Sequence, residues 1–141
     1  MVIVDDDPQV TALCRVHLER AGAFRVVATG ATAAEGFDVS LTHRPGAVLV
    51  DLGLPDGSGE TLIADLFRAL PDSMVAAFTA TDAEQAELRV RGTGAFAYYE
   101  KDMLHANRLA DYLRQDVELF NRAVEGEDII APSAVQRRAE G

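Results

Sequence analysis

The chain has 141 residues, 48% of them apolar, which suits one domain with an ordinary hydrophobic core. Its 13 basic and 23 acidic residues give a net charge of −10, which disfavours direct binding to nucleic-acid phosphates and favours a cation or a basic partner. A single cysteine, Cys14, excludes an internal disulfide, and no apolar run is long enough to cross a membrane, so a cytoplasmic location is expected.

The first half of the chain alternates between short apolar runs and segments with helical periodicity. Residues 2–4 predict a buried strand, after which Asp7 can cap a helix that has Pro8 at its first position. A second strand is predicted at residues 24–28 and a second helix at about 31–42. This order of strand, helix, strand and helix predicts that the two strands lie parallel.

The second half repeats this alternation. Strands are predicted at residues 47–50, 74–78 and 95–99, and helices at about 62–70, 82–91 and 103–124. The run AVLV at residues 47–50 is entirely apolar, as expected of a strand that is covered on both faces. Five strands alternating with five helices predict a doubly wound α/β domain with a five-stranded parallel sheet and helices on both faces.

Charged and polar residues follow the strands at the edge where open parallel sheets bind ligands. They are Asp5, Asp6 and Asp7 after the first strand, Asp51 after the third, Thr79 after the fourth and Lys101 after the fifth. Asp7 is assigned to helix capping. The remaining carboxylates would raise one another's pKa unless a cation neutralised them, and oxygen ligands of this kind suit Mg²⁺. By themselves the three aspartates also fit a solvated turn, but the matching positions on one edge favour a Mg²⁺ site.

Four segments together resemble the receiver domain of bacterial two-component response regulators. They are VDDD at residues 4–7, VDLGLPDGSG at 50–59, FTA at 78–80 and GAFAYYEK at 94–101, and their order and spacing also match. The resemblance covers residues 1–122 and implies a flavodoxin-like sheet with strand order 2-1-3-4-5. Residues 123–141 are then expected to form an extension of the C-terminal helix and a flexible tail.

The resemblance implies a role for each acidic residue of the site. Asp51 matches the family's phosphoacceptor, the aspartate that takes a phosphoryl group from a phosphohistidine. Asp6 matches a direct Mg²⁺ ligand, and Asp5 matches the carboxylate that holds a metal-bound water. The backbone carbonyl of Gly53 matches the third protein ligand, beside Asp51. The chemistry agrees, because phosphoryl transfer needs a positioned nucleophile and positive charge around the transferred oxygens.

The remaining predicted site residues come from the fourth and fifth strands. Thr79 matches the hydroxyl and Lys101 the ammonium that contact the phosphoryl oxygens in the family. Tyr98 matches an aromatic residue that moves inward on activation, so Thr79 and Tyr98 are predicted as a switch pair, with an ordinary core role for Tyr98 left open. The family usually has proline after this lysine. Here Asp102 follows, so a trans Lys101–Asp102 bond is expected.

The implied function is that of a phosphoacceptor receiver, either stand-alone or within a phosphorelay. Mg²⁺-dependent phosphorylation of Asp51 would switch a partner-binding surface on the fourth helix, the fifth strand and the fifth helix. The expected partners are a sensor histidine kinase or a histidine phosphotransfer protein, together with a downstream protein, and no nucleic acid or membrane. The long C-terminal helix leaves room for a homodimer. No enzymatic activity is expected beyond the domain's own phosphorylation and dephosphorylation.

Two related alternatives stay open, and three unrelated ones are disfavoured. A degenerate receiver that binds partners without phosphorylation and a receiver fragment of a larger multidomain regulator both fit the sequence. A phosphatase of the haloacid-dehalogenase type would need an acid two residues after Asp51, where Gly53 lies. Aspartates after the first strand would repel the pyrophosphate of a dinucleotide. The P-loop pattern G-x-x-x-x-G-K-[ST] does not occur.

Overall fold

Strands and α-helices alternate throughout the part of the chain that the structure, a computed structural model, describes: residues 1–22, 24–80, 82–104 and 107–126. In chain order the elements are β1 (Val2–Val4), α1 (Pro8–Arg20), β2 (Ala28–Gly30), α2 (Ala33–His43), β3 (Ala47–Val50), α3 (Gly59–Ala69), β4 (Met74–Thr79), α4 (Ala83–Val90), β5 (Ala97–Glu100), a 3-10 turn (Lys101–Leu104) and α5 (Leu109–Val124). The predicted α/β alternation is confirmed.

The five strands form one parallel sheet in the order β2-β1-β3-β4-β5, which confirms the predicted topology. β1 lies between β2 and β3, with Val2 opposite both Ala28 and Val48. β4 and β5 extend the sheet on the other side, where Ala77 lies opposite Tyr98. The strand order reverses at β1, so the crevice beyond the carboxyl ends of β1 and β3 is the expected place for a ligand.

Alternate residues along each strand face opposite sides of the sheet and so build two apolar layers. Ile3 and Leu49 belong to the layer that packs against α1 and α5. Val48 and Val50 belong to the layer that packs against α2, α3 and α4. These four strand side chains are all 0% exposed. Because helices cover both faces, β1 and β3 are apolar at every position, and their ends are held rigidly enough to position a site.

Two polar contacts attach α5 to the rest of the fold. The Tyr99 hydroxyl donates a hydrogen bond to Asp116 Oδ2 at 2.8 Å, and both residues are 0% exposed. The backbone N–H of Ala110 donates to Nε2 of His17 on α1 at 3.1 Å. The side chain of Arg108, which precedes α5, makes no capping hydrogen bond. A residue of α1 therefore satisfies one of the free N–H groups at the start of α5.

The second strand begins later than predicted. The apolar run at residues 24–28 predicted the strand there, but β2 is Ala28–Gly30. A parallel strand needs a partner opposite it, and β1 begins only at Val2, which lies opposite Ala28. Before that point two hydrogen bonds still join the segments, from the N–H of Val27 to the carbonyl of Met1 at 2.9 Å and from the Met1 amino group to the carbonyl of Arg25 at 2.8 Å. Regular pairing with β1 therefore decides where β2 begins.

The last helix also begins later than predicted. A continuous helix was expected over residues 103–124, but a 3-10 turn at Lys101–Leu104 precedes α5, which starts at Leu109. Asn107 between them has a φ of 58°, a left-handed conformation that interrupts a helix. Met103 is buried in the apolar layer beside α5, so its apolar spacing resembles that of the helix without belonging to it.

At its C-terminal end α5 continues through residue 122 to Val124, and residues 127–141 lie outside the described residues. The predicted domain boundary after residue 122 therefore stays a prediction, as does the tail. Among the helices of the described residues, none is both long and apolar enough to span a bilayer.

Candidate functional site

Backbone pairing at the end of the sheet places Asp5 and Asp51 side by side. Asp5 follows β1, and its N–H donates to the carbonyl of Gly30 at 2.9 Å. Asp51 follows β3, and its N–H donates to the carbonyl of Val4 at 2.8 Å. These bonds continue the two ladders past the last strand residues, so the positions of both carboxylates are set by the sheet.

Three carboxylates meet at this edge. One oxygen each of Asp5, Asp6 and Asp51 lies within 4.8 Å of the others. Asp5 is 2% and Asp51 8% exposed, whereas Asp6 is exposed and leaves the cluster open to solvent. Asp7 does not join them, because its carboxylate accepts the N–H of Gln9 at 2.9 Å and caps α1, as predicted. The structure thus brings together the three predicted metal-binding carboxylates.

Lys101 supplies positive charge to the cluster. Its Nζ lies 2.7 Å from Asp5 Oδ2 and 3.5 Å from Asp51 Oδ1. The Lys101–Asp102 bond is trans, as expected, since the described residues contain no cis peptide bond. The pKa of Glu100 is raised, mainly by burial and secondly by the charge of the Asp102 carboxylate. The substitution of aspartate for the family's usual proline therefore leaves the lysine directed at the two buried aspartates.

The electrostatics of the site follow from this burial. Burial raises the pKa of Asp5, and the contacts with Lys101 only partly oppose that rise. Burial acts to lower the pKa of Lys101, but the hydrogen bond with Asp5 and the charge of Asp51 outweigh it, so its pKa is raised. Lys101 is therefore cationic at neutral pH. Burial, assisted by the charge of Asp5, also raises the pKa of Cys14 to about 12, which makes this thiol an inert core residue.

The donor set fits a hard divalent cation. Its members offer oxygen atoms only, which is what Mg²⁺ prefers. Asp5 Oδ2 is buried, and Nζ of Lys101 lies against it at 2.7 Å. Gly53 lies against the same carboxylates, since its N–H donates to Asp51 Oδ1 at 3.3 Å. One lysine facing three carboxylates leaves room for further positive charge.

Thr79 and Tyr98 share one face of the sheet. Thr79 ends β4 opposite Glu100, and Tyr98 lies two positions before Glu100 on β5. Thr79 is 2% and Tyr98 3% exposed. A cleft of about 210 Å³ opens beside Thr79 and Lys101. Tyr98 belongs to the same apolar layer as Ala86 and Val90 of α4.

The family model for the response regulator receiver domain matches residues 1–114. The chain belongs to the response regulator receiver domain family. The predicted family is confirmed, and the matched residues include Asp5, Asp6, Asp51 and Lys101.

Individual relatives of this receiver agree with that assignment. The chain is 31% identical over 103 residues to the oxygen regulatory protein NreC of Staphylococcus epidermidis, a match that covers 72% of this chain and 47% of NreC. It is 30% identical over 101 residues to the transcriptional regulatory protein KdpE of Mycobacterium tuberculosis, covering 72% and 43%. The chain thus spans about half the length of these curated relatives.

The fold has close counterparts among solved structures. A CheY-like response regulator receiver domain protein from Methanospirillum hungatei superposes with a TM-score of 0.75 at 23% identity, covering 86% of this chain and 95% of that one. At this identity the likeness concerns the fold alone. It agrees with the flavodoxin-like topology of the receiver.

The sequence did not predict the contacts of three charged residues near Asp51. Asp56 accepts the N–H groups of the first two residues of α2, at 2.7 and 3.1 Å. Arg89 on α4 forms a bidentate pair with Glu60 on α3, with both distances 2.8 Å. The partners in these contacts lie more than 20 positions apart in sequence. The one signal in the sequence that bears on them is the predicted fold, which places α2, α3 and α4 close together.

Proposed function

We propose that this receiver accepts a phosphoryl group on Asp51 from the phosphohistidine of a sensor histidine kinase or a histidine phosphotransfer protein. The observation that supports it most is the position of the Asp51 carboxylate, which lies 3.5 Å from a lysine ammonium and within 4.8 Å of two other carboxylates. An Asp51 oxygen attacks phosphorus, the bond from phosphorus to the histidine nitrogen breaks, and the electron pair stays on the imidazole.

The other residues stabilise the charge that develops on the transferred group. Lys101 donates hydrogen bonds to its oxygens from one side, and the Thr79 hydroxyl and the Gly53 N–H do so from others. Asp5, Asp6, Asp51 and the Gly53 carbonyl are the groups that would hold Mg²⁺. When bound, Mg²⁺ supplies positive charge that neutralises the carboxylates and the incoming phosphoryl oxygens. The chain would catalyse only its own phosphorylation and dephosphorylation.

Phosphorylation is proposed to act through Thr79 and Tyr98 on the surface of α4, β5 and α5. Tyr98 packs under α4, so movement of Thr79 towards a phosphoryl group could change how α4 packs. A downstream protein would bind that surface, and a homodimer through α5 stays a prediction. Because the chain spans about half of its relatives' length, an output domain elsewhere in a larger protein is a further proposal.

The direct test is labelling with radioactive acetyl phosphate in the presence of Mg²⁺. Wild type is expected to take up label that is lost in Asp51→Asn and in chelator. The matched control is Asp56→Asn, which removes the same charge five positions along the same loop and keeps a side chain that can cap α2. It should label like wild type. Label retained on Asp51→Asn would show that the acceptor is misassigned, and an unlabelled wild type would favour a degenerate receiver.

A further inference from the structure

Arg89 joins α4 to the main chain immediately after the phosphoacceptor. Its Nε and Nη2 each donate to one carboxylate oxygen of Glu60, in the first turn of α3, at 2.8 Å. The same Nη2 donates to the carbonyl oxygen of Leu52 at 2.9 Å. Leu52 directly follows Asp51, so a side chain of α4 holds the backbone next to the nucleophile.

The held carbonyl belongs to a peptide unit whose other end faces the reacting carboxylate. The Leu52–Gly53 peptide is planar and trans, so its carbonyl and its N–H point in opposite directions. Arg89 binds the carbonyl, and the Gly53 N–H donates to Asp51 Oδ1 at 3.3 Å. The Gly59 N–H also reaches the Leu52 carbonyl, at 3.3 Å. Holding the Leu52 carbonyl in place therefore also fixes the direction in which the Gly53 N–H points.

The chemistry of the contact suits a positioning role. The planar guanidinium can bind a carboxylate with two nitrogens and still offer an N–H to a carbonyl, which an ammonium cannot do in this geometry. The side chains of Arg89 and Glu60 are 36% and 26% exposed, so the pair is partly shielded from solvent. The hydrogen bonds with Glu60 raise the pKa of Arg89, and the charge of Asp51 adds to that rise.

Arg89 also differs from Arg91, the residue that directly follows α4. Arg91 pairs with Glu87, four positions earlier, with 65% and 37% of the two side chains exposed. The ion pairs of Arg89 and Lys101 join different elements. The pairs of Arg15, Arg68, Arg91 and Arg114 instead join residues three or four positions apart in sequence. Both non-local cations approach the segment that contains Asp51.

We propose that Arg89 is a positioning residue for phosphoryl transfer, which orients the Leu52–Gly53 peptide and couples the position of α4 to the phosphoacceptor site. This inference rests on the proposed function of Asp51. Coupling between two sites is reciprocal. A protein that displaces α4 therefore loosens the Gly53 main chain and weakens Mg²⁺ binding, and ligands at Asp51 in turn stabilise the position of α4.

The test compares Arg89→Gln with Arg91→Gln, which removes the same charge two positions away, directly after α4, without touching the site. The measurements are the Gly53 amide resonance, the Mg²⁺ dissociation constant from an NMR titration, and the rate of labelling by acetyl phosphate. Arg89→Gln is expected to shift the Gly53 amide and to weaken Mg²⁺ binding and labelling by about tenfold, as loss of a group that orients a metal ligand typically does. Arg91→Gln should match wild type in all three.

A second pair of variants covers the case in which Arg89→Gln does not fold. Glu60→Gln keeps Arg89 but frees its guanidinium, and is expected to shift the Gly53 amide and weaken Mg²⁺ binding by less than Arg89→Gln does. Its control is Glu87→Gln. Arg89→Lys keeps the positive charge but lacks the planar guanidinium with its two donating nitrogens. The Gly53 amide resonance of this variant should therefore not return to its wild-type position.

The inference is overturned if Arg89→Gln matches Arg91→Gln, or, where Arg89→Gln is unfolded, if Glu60→Gln matches Glu87→Gln. Failure of the proposed function looks different. In that case wild type itself takes no label on Asp51, whatever the variants do. If wild type takes label and each variant behaves like its control, only the role of Arg89 is rejected, and the proposed function of Asp51 stands.

Discussion

Asp5 carries a charge that the fold only partly compensates. It is 2% exposed, and its neighbours are the ammonium of Lys101 and the carboxylate of Asp51. Burial raises its pKa, although Lys101 and the N–H of Asp7 oppose that rise. Without a metal the ionised form of Asp5 is therefore less favourable in the folded chain than in the unfolded one. In the absence of a metal, the ionised Asp5 side chain therefore lowers the stability of the fold.

The pH dependence of stability in chelator follows from this shift. The pKa of Asp5 in the folded chain lies above the ordinary value of 3.8, so a proton bound to Asp5 stabilises the folded state. This stabilisation is fully present at a pH below the ordinary pKa, and it is lost as the pH rises through the pKa of the folded chain. Asp5→Asn should remove this loss and raise the melting temperature at neutral pH in chelator. The control, Asp72→Asn, removes an exposed carboxylate at the opposite end of the sheet. An unchanged or lower melting temperature for Asp5→Asn would contradict the net destabilisation.

Sequence position alone located the clustered carboxylates and missed charged residues around them. Asp5 and Asp51 were predicted because each follows an apolar run, and the end of a buried strand is visible in the sequence. The contacts of Arg89 and Asp56 were not predicted, because their partners are distant in sequence. In the sequence each of the two resembles an ordinary exposed charged residue. A charged residue's role depends on what the fold brings against it, which local patterns do not contain.

At the scale of elements, the start of α3 lies unusually close to the chain that follows β3. The N–H of Gly59 donates to the carbonyl of Leu52 at 3.3 Å. A Cβ at position 59 would lie 2.6 Å from the Cα of Leu52 and even closer to the carbonyl oxygen of Asp51. Only glycine allows this approach, which lets the first turn of α3 pack against the backbone of Asp51 and Leu52.

Substituting Gly59 by alanine should therefore separate α3 from the site. Gly59→Ala is expected to lower the free energy of unfolding by about 1–3 kcal/mol, as overpacking of a filled site does. Labelling of Asp51 should fall as well. Gly57→Ala is the matched control, because a Cβ there meets nothing within 4 Å, and it should change stability by less than about 0.5 kcal/mol. Equal urea midpoints for the two variants would show that the chain can relax around the added methyl group.

The element boundaries that the sequence misplaced share a physical cause. Residues 24–28 have strand composition, but the strand forms only where β1 lies opposite, at Ala28–Gly30. The helical spacing of Met103 continues into α5, but the left-handed Asn107 divides the two. In both cases side-chain pattern reports which residues are buried, whereas backbone pairing and a single dihedral angle decide where the regular element begins.

At the scale of the whole molecule, a net charge of −10 and a carboxylate cluster both favour binding of cations. Screening of the negative charge by salt can be distinguished from cation binding at a specific site. Screening depends only on ionic strength, whereas a site depends on the side chains that bind the cation. The apolar layers on both sides of the sheet include none of the three clustered carboxylates, so the fold should persist without metal.

Millimolar Mg²⁺ is accordingly expected to raise the melting temperature modestly, by mass action on the folded state, while chelator leaves the chain folded. NaCl at the same ionic strength should give a smaller rise. Asp6→Asn should abolish the difference between the two salts, and Asp72→Asn should retain it. The same rise in MgCl₂ and in NaCl for wild type would count against a site at Asp5 and Asp6.

The sequence by itself determined the class of fold, the strand order through its family resemblance, and which side chains meet at the carboxyl edge, because buried strands and their polar ends leave a local signature. The tertiary structure alone decided that Arg89 of α4 contacts the main chain next to Asp51, and how closely Lys101 approaches Asp5 and Asp51. Those contacts join residues far apart in the chain, and their geometry arises only when the helices pack on the sheet.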